Sequence, residues 1–64
     1  MDLNAQIQNR LDVISGELLV YDLILQGKAS NVRNYTGEQL RIKIFNLQLE
    51  FICLGTGILP NYFR

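Results

Sequence analysis

Sixty-four residues with six Lys and Arg, six Asp and Glu and no His carry a formal charge of zero, which removes any overall electrostatic case for nucleic acid or an anionic membrane. Hydrophobic residues make up 48% of the chain, a heavy apolar load for a length that buries only about 60% of its unfolded surface. The single Cys excludes an intrachain disulfide and, without His, argues against a structural zinc site, so self-association is the stabilising device left to one small domain over 1–64.

The first predicted element is a helix over 2–26, capped by Asp2. Leu3, Ile7, Leu11, Ile14, Leu18, Tyr21 and Leu25 recur at spacings of four and three, which is one stripe of a helix. Between Asn4 and Glu17 the opposite side is polar: Gln6, Gln8, Asn9, Asp12 and Ser15. Gly16 is the weak point, costing about 1 kcal/mol relative to Ala. After it, 18–25 is almost wholly apolar and needs cover on more than one side. That run also reads as a buried strand after a helix that stops near Ser15. Gly27 followed by Lys28 makes a good helix end and favours one continuous helix.

Residues 27–36 form a polar connection, with Val32 and Tyr35 expected to tuck under the hairpin. The second helix is predicted over 37–54. Thr36 with Gln39 has the form of a capping box, and Gly55 stands where a left-handed residue would end the helix. Leu40, Ile44, Leu47, Phe51 and Leu54 make its inner stripe. At about 100° per residue, Ile42, Phe45, Leu49, Ile52 and Cys53 make a second stripe on the opposite side. Gln39, Lys43, Asn46 and Glu50 line one polar gap; Arg41 and Gln48 line the other. Alternation over 40–44 and again over 45–51 supports a competing strand reading, but the two runs fall on opposite faces. The tail, 55–64, holds Ile58, Leu59, Tyr62 and Phe63, too apolar for a solvated end. It is expected to fold back or to dock into a partner.

No arrangement of residues carries catalytic, cofactor-binding or metal chemistry. Cys53 lacks a His base and sits near a helix C-terminus, so a buried structural thiol is expected. Asp12, Glu17 and Asp22 step round the helix instead of converging. Gly55-Thr56-Gly57 lacks the Lys-Ser/Thr of a phosphate loop. Arg33, Arg41 and Lys43 are the basic cluster, but Arg41 and Lys43 lie about 200° apart on a helix. No apolar run approaches the length a membrane helix needs, no basic-then-apolar leader is visible, and a lone thiol suits the reducing cytoplasm.

The expected fold is all-α: an antiparallel two-helix hairpin that self-associates as a four-helix-bundle dimer. The competing fold is α+β, an N-terminal helix followed by a small antiparallel sheet. The residues 1–32 carry a net charge of minus two, from Asp2, Asp12, Glu17 and Asp22 against Arg10 and Lys28. The remainder carries plus two, from Arg33, Arg41, Lys43 and Arg64 against Glu38 and Glu50, which favours packing one half on the other. The expected function is a non-enzymatic adaptor or regulator that binds itself and another protein. The expected self-interface is Ile42, Phe45, Leu49 and Ile52 with Leu19, Val20, Leu23 and Ile24. Other expectations from the same residues are a nucleic-acid-binding hairpin dimer using Arg33, Arg41 and Lys43, or a structural subunit of a larger particle such as a phage or shell.

Overall fold

The computed structural model describes residues 2–59. Helix α1 spans Leu3–Leu25 and helix α2 spans Gly37–Thr56, and the two pack against each other. No strand occurs among the described residues, so the α+β alternative is set aside. The runs that alternate with period two, 40–44 and 45–51, are helical throughout. No helix among the described residues is long and apolar enough to cross a membrane.

The helix ends follow from specific side chains. Asp2 accepts a hydrogen bond from the Ala5 amide at 2.8 Å, satisfying one orphan donor of the first turn. Thr36 builds the capping box: its hydroxyl accepts from the Gln39 amide at 3.1 Å, and the Gln39 side chain accepts from the Thr36 amide at 2.9 Å. Past α1, Gly27 has φ 75°, the Lys28 amide donates to Leu23 and the Gly27 amide to Ile24. This is a Schellman end.

The end of α2 corrects the sequence reading. The helix runs through Gly55 to Thr56, and Gly57 is the left-handed residue, with φ 86°. The amide of Ile58 donates to Cys53 and that of Gly57 to Leu54, the same pattern as in α1. Both glycines satisfy the composition signal, but only the second follows the last intrahelical bond. The Thr56 hydroxyl helps to hold that turn by donating to the Ile52 and Cys53 carbonyls.

The connection is organised by Asn31. Its amide nitrogen donates to the Tyr35 carbonyl at 2.8 Å and its oxygen accepts from the Tyr35 amide at 2.9 Å. Asn34 takes the left-handed conformation, φ 54°, which Asn tolerates better than most residues. Tyr35 turns inward, its ring 5.9 Å from that of Tyr21 and nearly perpendicular to it. Val32 does not tuck under the hairpin: it is 82% exposed.

The core is thin. Only Ile14, Leu40 and Leu54 are fully buried among the described residues. The other inner-stripe residues Ile7, Leu11, Leu18, Tyr21, Ile44 and Leu47 are half-buried, while Leu3, Leu25 and Phe51 are exposed. Two helices touch along one line, so a side chain to either side of that line keeps one flank in water.

Candidate interaction surface

Ile14 points straight at α2, with no exposure, and fixes the directions on α1. At about 100° per residue, Leu18 lies to one side of that line and Glu17 to the other. On α2 the line toward α1 runs through Leu40, Leu47 and Leu54. The hairpin therefore has two flanks, and each helix has a back.

The back of α2 is apolar. Ile42, Phe45, Leu49 and Ile52 lie about 120–200° from Leu40 on the helix, and all four are exposed, Phe45 and Ile52 to 59%. No charged residue lies between Ile42 and Ile52 on this strip; Glu38 and Thr56 stand at its two ends by the same spacing. Cys53 borders it and is half-buried instead of buried, because α1 covers only the other side of α2.

The residues of α1 expected to complete this strip are not gathered on it. Leu19 is 61% exposed and lies on the Leu18 flank, where it shares a groove with Ile44 and Gln48. Ile52 reaches the same flank beside Leu18 and Phe51. Val20 and Ile24 face the other flank, around an open recess of about 400 Å³ shared with Arg33 and Tyr35. Leu23 and Ile24 are half-buried, so neither is freely displayed. The physical reason is the helical angle: Leu19 and Val20 are adjacent in sequence and diverge by about 100°. A square four-helix bundle with all eight residues inside is therefore not prepared by this hairpin.

The polar gaps also do more than rim a face. Arg10 reaches across from α1 and clasps Glu50 in two parallel hydrogen bonds, Nε to Oε2 at 2.6 Å and Nη2 to Oε1 at 2.9 Å. The Glu50 side chain is only 19% exposed, so the pair is partly shielded from water and holds the helix register. Sequence reasoning placed Glu50 in a polar gap of α2 and missed this contact. A signal was there: reflection about residue 30, beside the middle of the connection, sets position 10 opposite position 50. The pair also joins the minority charge of each half, a cation from the acidic half and a carboxylate from the basic one.

The basic residues do not converge. The Lys43 ammonium lies over the Tyr35 ring, 5.0 Å from its centroid. Arg41 lies about 200° around the helix from Lys43. Arg33 lines the recess beside Tyr21. There the Tyr21 hydroxyl is pushed above its ordinary pKa of 10.0, first by desolvation, then by Tyr35 and Glu17, with Arg33 opposing.

Ile58 is exposed and Leu59 half-buried; Tyr62 and Phe63, the other two residues of the expected docking tail, lie outside the described residues. No set of His, Cys, Asp and Glu side chains that could hold a metal ion occurs among the described residues. No protein-family model matches this chain, and neither a curated protein nor a solved structure is significantly similar to it.

Proposed function

We propose that this chain is a non-enzymatic interaction module, an adaptor or regulator that acts as a homo-oligomer and binds a further protein. The observation that carries the reading is the uncharged strip Ile42, Phe45, Leu49, Ile52 along the back of α2. Burying such a side chain fully is worth about 1.5–3 kcal/mol. A hairpin with so few fully buried residues has little stability of its own, and covering this strip recovers what folding alone forfeits. A symmetric homodimer is the commonest way to do so.

Sedimentation at high micromolar concentration tests the reading. The unmodified chain is expected to sediment as a dimer, and the double variant Phe45→Glu, Leu49→Glu as a monomer of much reduced stability. A well-folded monomer of the unmodified chain overturns the reading.

A further inference from the structure

Resting on the homo-oligomer reading, we propose that the partner on the back of α2 is the antiparallel α2 of a second copy. The two-fold axis passes beside Leu47, and the four helices lie in a row with the α2 pair at its centre.

The first observation is the spacing. Ile42, Phe45, Leu49 and Ile52 are three, four and three residues apart, so the strip reads the same in both directions. Reversal about Leu47 exchanges Ile42 with Ile52 and Phe45 with Leu49. Each residue then meets an apolar residue of the partner subunit, the self-complementarity an isologous interface demands. Ile42, Phe45 and Leu49 face away from α1, Ile52 leans toward the Leu18 flank, and all four are exposed, so the hairpin leaves the strip open to approach.

The second observation is charge. The strip continues to Glu38 at one end and Thr56 at the other. A parallel pair stacks the Glu38 carboxylates of both subunits across the axis, a repulsion in a partly dehydrated seam. The antiparallel pair sets Glu38 against Thr56 of the partner subunit, about 27 Å from the partner's Glu38 by the helical rise. The flanks agree: Gln48 faces Gln48 of the partner subunit on one side, and Asn46 faces its own counterpart on the other. Arg41 comes beside Gly55 of the partner subunit, where the carbonyl end of that helix attracts a cation. The antiparallel macrodipoles add to the preference.

Two single-cysteine variants of the full chain, each in a Cys53→Ser background, test the geometry with a short bis-maleimide. Gln48 and Glu38 are both exposed, so neither substitution disturbs the hairpin, and helical circular dichroism checks that. Gln48→Cys is expected to cross-link to more than half as a dimer, and Glu38→Cys to remain at the level of random collision. Cross-linking through Glu38→Cys and not Gln48→Cys overturns the antiparallel arrangement in favour of a parallel one. A dimer by sedimentation that cross-links through neither position overturns the choice of face. A chain that sediments as a folded monomer fails earlier, at the homo-oligomer reading itself.

Discussion

The two faces of α2 carry nearly the same amount of hydrophobic side chain and meet opposite fates. Leu40 and Leu54 on the inner face are 3% and 4% exposed, whereas Ile42 and Phe45 on the outer face are 53% and 59% exposed. Residue type does not separate them; position relative to α1 does. The lesson is that an apolar stripe states a demand for cover, and only a neighbouring element decides whether the chain meets it alone.

The sharpest way to break this comparison is to truncate one residue on each face. Leu40→Ala is expected to cost about 2–5 kcal/mol, the usual range for a buried Leu, and to do so at every protein concentration. Phe45→Ala is expected to act through association: its destabilisation should appear at high concentration and fade on dilution. Thermal melts of both variants across a hundredfold concentration range read the difference. Equal, concentration-independent losses would mean that the outer face belongs to the fold of the single chain.

The pair Arg10–Glu50 tests what holds the inner face in register. Replacing Arg10 by Met keeps the aliphatic stem and leaves Glu50, mostly covered, without its two charge-assisted donors. A loss of about 1–2 kcal/mol is expected, discounted from a buried pair because Arg10 is about one-third exposed. Urea titration of Arg10→Met measures it, and recovery in a compensating Arg10→Met, Glu50→Leu variant would show that the cost is an unpaired carboxylate.

The two glycines after Leu54 give a finer contrast. Neither has a neighbour within 4 Å of an added Cβ, but Gly57 has φ 86° and Gly55 is helical. Gly55→Ala should therefore stabilise by up to about 1 kcal/mol, and Gly57→Ala should destabilise by about 1–2 kcal/mol. Melting temperatures moving in the same direction would show the helix end assigned to the wrong residue.

The smallest effect expected is a pH dependence. The Tyr21 hydroxyl ionises above 10.0 in the folded chain, so its neutral form is favoured by folding. Its contribution is fully present below pH 10 and is lost as pH rises through the folded pKa. Tyr21→Phe should flatten the alkaline limb of the stability curve, measured by urea titration between pH 8 and 11.

Local signals in the sequence determined the helices and most of their ends. The Asp2 cap, the Thr36–Gln39 capping box, Gly27 and the inner stripes act through neighbours three or four residues away, so short-range pattern contains them. The outer strip was legible as a stripe for the same reason, since which residues share a helix face follows from angle alone; its exposure followed from where α1 packs. Other features depend on partners distant in sequence, and tertiary structure alone decided them. Arg10 meets Glu50 because the connection folds the helices back in one register. Tyr35 packs edge to face with Tyr21, and Lys43 lies over the Tyr35 ring, away from Arg33 and Arg41. Leu19 and Val20 part to opposite flanks because only the placement of α2 defines what a flank is. Periodicity is a property of one helix, whereas a shared surface is a property of two.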